Sequence, residues 1–284
     1  MIIVDLNQVV ISNFMMSIGN HTNITIEEDL LRHMVLNSLR SYNAKFRDEY
    51  GEMIIACDAS RSWRKDAFQY YKANRALDRK KSEIDWNALF TVLNKIRDEL
   101  KQYLPYRVIE VVGAEADDII GTLCIEFGDS SERILIISGD KDFRQLQTFL
   151  NVFQYDPVRK KMMTEQSPER YLREHIMRGD RGDGIPNFLS KDDVFVVKGR
   201  QKQLRELKIE EYLKAEKLED FCNDEMLRGY KRNEQLIDLT KTPQNIRTQI
   251  MESYHSQVTQ TRAHIFSYLV ANKLKLLITD IDQF

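Results

Sequence analysis

The decapeptide ILIISGDKDF, Ile134–Phe143, sets two aspartates, Asp140 and Asp142, immediately beyond a continuous apolar run. Ile134, Leu135, Ile136 and Ile137 form a block of the kind found in a strand covered on both faces, the usual environment of a parallel sheet. In open α/β sheets the carboxyl ends of the strands line the crevice where ligands bind, so carboxylates placed there can act together. A single Asp-x-Asp also caps helices and makes turns, so the pair gains meaning only from the rest of the chain.

Two further strand-like runs end in acid. Ile2–Val4 closes on Asp5, and Met53–Cys57 stops on Asp58. Arg107–Val112 reads as another strand, after which Gly113 leads into AEADDII, where a helix opens between Ala114 and Ile120 with Glu115, Asp117 and Asp118 in its first turn. Acids are favourable at a helix N-terminus through the macrodipole, which explains one of them better than three. At ~100° per residue Glu115 and Asp118 share a face and Asp117 points elsewhere, so spacing leaves open which of them converge. Further on, GDRGDGIPN (Gly179–Asn187) places Asp180 and Asp183 among three glycines, either a backbone able to approach a phosphate closely or a simple Asx-turn loop.

The intervening segments read mostly as helices. Thr25 and Glu28 have the spacing of a capping box ahead of an amphipathic face of Leu31, Met34, Val35, Leu39, Tyr42 and Phe46. Asp85–Leu104, Pro168–Met177, Ile209–Phe221 and Pro243–Tyr254 follow, with a last amphipathic helix holding Ile265, Phe266, Leu269 and Val270. Asn151–Tyr155 and Lys160–Thr164 flank Asp156-Pro157 as a peripheral hairpin. From Phe188 onward the period is helical.

The 284 residues, 42% hydrophobic and 30% charged with a net charge of −2, suit one large α/β domain with an appendage, or two domains. Three scattered cysteines without a Cys-x-x-Cys point to a reduced protein. Neither a signal peptide nor a transmembrane helix is expected. Charge is segregated: Arg61–Lys81 carries eight basic residues against two acids, a local charge of +6. Lys72, Arg75 and Arg79 fall on one helical face, with Phe68, Tyr70 and Tyr71 upstream as stacking surfaces. The stretch reads as a wall for nucleic-acid phosphates, against the blander alternative of a solvated helix.

If the strand-like runs form one parallel sheet, most of the acids Asp5, Asp58, Glu115, Asp117, Asp118, Asp140, Asp142, Asp180 and Asp183 lie along one edge. Like charges so close raise one another's pKa, and hard divalent cations relieve this. Oxygen donors without clustered His or Cys suit Mg²⁺, and two ions ~3.5–4 Å apart would support an in-line displacement at phosphorus. A phosphatase using Asp-x-Asp fits less well, because Asp5 has no second Asp two residues on.

In combination and order, VDLNQ around Asp5, ACDAS around Asp58, WRKDAFQYYKANR in the basic stretch, EADD, ISGDKDF and GDRGD resemble the 5′ nucleases of the flap endonuclease class, most closely the replication ribonuclease H branch of T-even-like bacteriophages. The resemblance runs over nearly the whole chain. It implies an α/β, PIN-like nuclease core, with a central, mostly parallel sheet flanked by helices, over 1–186, including a basic helical arch at about 61–85, and a C-terminal helical domain over 187–284. It implies a 5′-3′ exonuclease, flap endonuclease and ribonuclease H that removes RNA primers and 5′ flaps during DNA replication. The cofactor would be two Mg²⁺ ions, with Mn²⁺ able to substitute, held by the nine acids above.

Lys72 and Arg79 match the family's basic pair at the scissile phosphate, and Asp140 joins them as a catalytic group. Arg64, Lys65, Lys72, Arg75, Arg79 and Lys80 would contact nucleic acid. The implied substrates are DNA and RNA:DNA duplexes with 5′ ends, flaps or forks. A single-stranded-DNA-binding protein and a sliding clamp are the implied partners, and the implied setting is a monomer in the cytoplasm of an infected bacterial host. The alternatives are a PIN-type ribonuclease without flap specificity and a non-catalytic nucleic-acid-binding subunit. The sequence departs from the family at FLSKDDVFVVKGR (Phe188–Arg200), where a second glycine-rich turn is expected, which leaves open how duplex is anchored there.

Overall fold

In a computed structural model of the protein, the described residues are 1–19, 25–215, 217–257 and 263–284, and the side chains at 77, 78 and 80 lie outside the described set. The chain runs β1 (Ile2–Asp5), α1 (Leu6–Ile18), α2 (Glu28–Tyr50), β2 (Met53–Ala56), α3 (Trp63–Ala67), α4 (Ala73–Lys81), α5 (Trp86–Tyr103), β3 (Arg107–Ile109), α6 (Ala116–Phe127) and β4 (Ile134–Ile137). A 3₁₀ segment over Lys141–Thr148 leads to β5 (Val152–Asp156) and β6 (Lys161–Met163). Among the described residues six α-helices follow: α7 (Pro168–Arg178), α8 (Glu206–Lys214), α9 (Asp224–Ile237), α10 (Gln244–Ser256), α11 (Ala263–Ala271) and α12 (Lys275–Ile278).

The apolar runs are strands because both faces are covered. Ile2, Val4, Ile55, Leu135 and Ile137 point to one side, against α1, α2 and α5. Ile3, Ile54, Ile134 and Ile136 alternate to the other side, against α6. Each such side chain taken fully from water contributes roughly 1.5–3 kcal/mol, and a one-residue slip of register would exchange the two faces.

The six strands lie in the order β3-β2-β1-β4-β5-β6, parallel except for β6 at the edge. Ile2 pairs with Met53 and Leu135, so β1, β2 and β4 end abreast. Strand order turns back between β1 and β4, a topological switch point where a crevice opens beyond the strand ends. Asp5, Asp58 and Asp140 sit at or just past those ends.

Several expectations shift in detail. The Thr25 capping box does not form: α2 starts at Glu28, whose carboxylate pairs instead with Arg32 and Lys95. β3 stops at Ile109, and Val112 is exposed. The hairpin is less peripheral than its basic turn suggests, since β5 pairs with β4 as a fifth parallel strand. The segment from 188 to 205 is turns rather than helix. The helix expected over Ile209–Phe221 spans Glu206–Lys214, and beyond it the chain folds back so that Phe221 stacks on Tyr212 at 4.5 Å.

The C-terminal segment is helical and is divided among three apolar clusters. Ile246 and Ile250 of α10 complete the α6 side of the sheet. Ile265 and Leu269 of α11, with Leu277 of α12, complete the other side, while Phe266 and Val270 face outward. The third cluster joins Phe68 and Tyr71 of the basic stretch to Ile176 and Met177 of α7, Ile209 of α8, and Tyr230 and Leu236 of α9.

Candidate active site

A cavity of about 650 Å³ opens beyond the ends of β1, β2 and β4. Seven of the nine expected acids line it: Asp5, Asp58, Asp117, Asp140, Asp142, Asp180 and Asp183. Lys72, Arg75, Arg79 and Lys141 line it as well, so with every carboxylate ionised the acids exceed the cations by three charges.

Local structure fixes each acid. Asp5 ends β1 and caps α1, accepting from the Gln8 N–H at 3.1 Å and the Ser138 hydroxyl at 3.3 Å. Asp58 accepts from the Ala116 N–H at 2.7 Å and from the Asn7 side-chain amide, which ties the β2 end to the start of α6. Asp140 caps the 3₁₀ segment through the Asp142 N–H at 3.0 Å. Asp180 folds its own loop by accepting from the Gly182 and Asp183 N–H groups at 2.7 and 3.2 Å. Gly179 allows that loop, because at φ +68° a Cβ would also meet the Ile185 carbonyl at 2.4 Å.

The structure answers the question that spacing left open at EADD. Glu115 is the N-cap of α6 and Asp118 its reciprocal partner, so those two turn away from the cavity while Asp117 faces it. The expectation that Asp118 holds metal is corrected: it is fully buried, and its oxygens accept from Arg64 at 2.9 Å, Thr242 at 2.8 Å, Trp63 at 3.1 Å and the Glu115 N–H at 2.8 Å. Glu115 stands one layer behind the lining, bonded to Lys72 at 2.6 Å and Tyr71 at 2.8 Å.

Arg64 is corrected likewise. It lies inside the protein, paired with Asp118 and Glu115 and donating to the Leu236 carbonyl at 2.9 Å, out of reach of nucleic acid. Phe68 and Tyr71 are buried in the third cluster and offer no stacking face. Lys65 is exposed on α3, away from the cavity lining, and the Lys80 side chain lies outside the described residues.

Lys72, Arg75 and Arg79 do line the cavity together, but only Arg75 and Arg79 lie on the helix. Lys72 precedes α4 with φ +55°. Its N–H donates to the Asp183 carbonyl at 2.7 Å, Asn74 donates to the Arg181 carbonyl at 2.8 Å, and Arg75 pairs with the Asp183 carboxylate, so the basic helix is tied to the GDRGD loop. Arg79 lies over the rings of Trp86 and Phe90 at 5.3 and 4.8 Å.

The electrostatics are those of an under-neutralised acid cluster. Burial, reinforced by Asp58 and Asp140, pushes the Asp5 carboxyl up to about 7. Burial and Asp140 push Asp142 up to about 7, and the same two causes raise Asp117 well above the usual carboxylate range. Burial also raises Asp58. Glu115 goes the other way: burial opposes its ionisation, but Lys72 and Arg64 hold it at about 2. Carboxyls so raised, together with an Asp142 Oδ1 that has no hydrogen-bond partner among the described residues, are the donor set that a divalent cation satisfies.

Comparison with known proteins matches this geometry. The family model for the N-terminal resolvase-like domain of 5′-3′ exonucleases covers residues 1–175, and that for the C-terminal part of T4 RNase H covers 166–284. Ribonuclease H of bacteriophage T4 is 31% identical over 292 residues, 99% of this chain and 95% of that protein. The chain belongs to the 5′-3′ exonuclease family.

Membership makes this nuclease a phosphodiester hydrolase, and its fold has solved counterparts. The bacteriophage T5 protein co-crystallised with metal ions superposes with a TM-score of 0.61 at 15% identity, over 89% of this chain and 98% of that one. The T5 flap endonuclease in complex with DNA and metal ions gives 0.59 at 18% identity, over 90% and 99%. No helix among the nuclease's described residues is long and apolar enough to cross a membrane.

Sequence reasoning missed several groups of the site. Asn7 and Gln8 act as positioning residues, the first on Asp58 and the second by accepting from the Gly139 N–H at 2.6 Å. Both lie inside VDLNQ, two and three residues after Asp5, which was their only signal. Lys141, between the two aspartates of GDKD, reaches Asp180 at 2.7 Å. His175, in the last turn of α7, lies between Asp142 and Asp180. A lone histidine on a helix gave no signal.

Proposed function

We propose that this nuclease cleaves phosphodiesters in the 5′ to 3′ direction with Mg²⁺ as cofactor, acting as a ribonuclease H and flap endonuclease on DNA and RNA:DNA duplexes with free 5′ ends. The observation that carries the reading is the convergence of seven carboxylates from five separate parts of the chain beneath Lys72, Arg75 and Arg79. A protein that only bound nucleic acid would gain nothing from negative charge facing phosphates.

Asp5, Asp58, Asp117, Asp140, Asp142, Asp180 and Asp183 would hold the ions, which when bound supply charge neutralisation at phosphorus and a more acidic water. The chain's own residues do the rest. Lys72, Arg75 and Arg79 receive the phosphodiester and hold its charge over the acids. Asn7 and Gln8 tie the ends of β2 and β4 to that of β1, so the carboxylates meet the substrate in a fixed arrangement. Arg79, held against Trp86 and Phe90, places its guanidinium at the cavity rim with few alternative rotamers. The structure of the T5 relative with DNA and metal ions supports the substrate class.

The test is incubation with a 5′-flap and with an RNA-primed duplex labelled so that every fragment is seen, in Mg²⁺ and then in excess EDTA. Mg²⁺-dependent release of short 5′ fragments from both is expected. Equal cutting in EDTA, or none in Mg²⁺ or Mn²⁺, would contradict the proposal.

A further inference from the structure

We propose that Asp142, His175 and Asp180 form a mixed imidazole and carboxylate subsite that takes a borderline divalent cation, of the Co²⁺ or Zn²⁺ class, in preference to Mg²⁺. The inference rests on the metal reading above and assigns a cation preference to one side of the same cavity.

His175 is only 6% exposed, and among the described residues neither ring nitrogen makes a well-formed hydrogen bond. Nδ1 faces Asp142 Oδ1 at 3.5 Å and Nε2 faces Asp180 Oδ2 at 3.4 Å, both beyond good N–H···O distance. Asp142 Oδ1 likewise has no hydrogen bond among the described residues. A buried imidazole whose nitrogens make only these two long carboxylate contacts is poorly satisfied, and here it points into the acid cluster instead of being screened from it.

One donor atom from each residue falls within 4.8 Å of the other two. Metal bonds of about 2.0–2.2 Å set donor separations of roughly 3–4 Å, so closing the three onto one ion takes a contraction of no more than about 1–2 Å. The remaining Asp180 oxygen is fixed by the Gly182 N–H, which orients Oδ2 toward His175. Lys141, about half exposed, also reaches Oδ2 at 2.7 Å and is the group an ion would displace. Tyr171, edge-on to the imidazole at 5.7 Å, limits its rotation.

The preference follows from donor chemistry. Mg²⁺ takes oxygen ligands and gives up its waters reluctantly, whereas imidazole suits the borderline first-row ions. The all-oxygen side of the cavity around Asp5, Asp58 and Asp117 carries no such bias.

Titration of the full-length protein with Co²⁺ alone, followed by visible absorption, and with Mg²⁺ alone, followed by calorimetry, tests this. In 15N-histidine-labelled protein, the His175 imidazole, one of five, should show hyperfine shifts when Co²⁺ binds. His175→Gln and His175→Asn should lose at least about tenfold in Co²⁺ affinity and keep Mg²⁺ affinity within about threefold. Unaltered Co²⁺ affinity and absorption in either variant, shown to be folded by circular dichroism, would overturn the subsite. An unshifted His175 imidazole in the wild-type protein would do the same without any variant. Neither result would touch the nuclease reading, which stands or falls on Mg²⁺-dependent cleavage.

Discussion

Asp117 and Asp118 are neighbours in sequence with opposite duties. Asp118 is the buried counter-charge of Arg64, so Asp118→Ala strands a guanidinium inside the protein and should cost about 3–5 kcal/mol of stability, seen as a lower urea midpoint. Asp117→Asn should leave the midpoint unchanged or higher, because it removes a like charge beside Asp140, and should lower cleavage by at least about 10²-fold. Helical spacing put Glu115 and Asp118 on one face. Which way that face looked was not legible, because Trp63, Arg64 and Thr242, the groups that claim it, come from distant parts of the chain.

Protons and metal compete for the same carboxyls. Asp5 and Asp142 sit near 7 in the folded protein and near 4 in an unfolded chain. Between those values the folded state holds protons that the unfolded state has released, so the stability of the metal-free protein should fall as pH rises from about 4 to about 7. A scanning fluorimetry series in EDTA should show the melting temperature dropping through that window, with the rise on adding Mg²⁺ largest at its upper end. A melting temperature that climbs with pH in EDTA would show these acids already neutralised by other groups.

Among elements, the decisive pair is the basic helix α4 and the GDRGD loop. That Arg75 and Arg79 share a face was readable because a helix puts i and i+4 together; Lys72, expected on the same helical face, lies ahead of α4 in the left-handed region and reaches the cavity from there. The inward turn of Phe68 and Tyr71 was not, since their partners are α7 and α9. Gly184 sits at the joint, with φ +72° and a would-be Cβ 2.9 Å from the Tyr70 carbonyl. Gly184→Ala should therefore shift α4 away from the acids, lowering kcat while far-UV circular dichroism stays native. Lys72→Ala, which removes a cation from the cavity and from Glu115, should reduce cleavage more than Lys65→Ala, whose side chain lies outside it.

At the scale of the whole molecule, the parallel sheet and its acid-bearing edge were legible because strands buried on both faces read as unbroken apolar runs, each ending in a carboxylate. The arrangement of the C-terminal helices was not legible, because amphipathic periodicity shows that a face is buried without naming the surface it meets. Those helices cover both faces of the sheet. A fragment ending at residue 186 should accordingly lose cooperative unfolding, a result that differential scanning calorimetry would show as a weak or absent transition.

Distant acids gathered into one divalent-cation cradle under a cationic face is the claim that matters most. Cleavage and binding of a 5′-flap substrate by Asp140→Asn, measured side by side with the wild type in Mg²⁺, test it directly. Substrate bound as tightly as by the wild type, with product formation reduced by at least about 10²-fold, is the expected result. Cutting at the wild-type rate would show that the cluster at the ends of β1, β2 and β4 is not where the phosphodiester is broken.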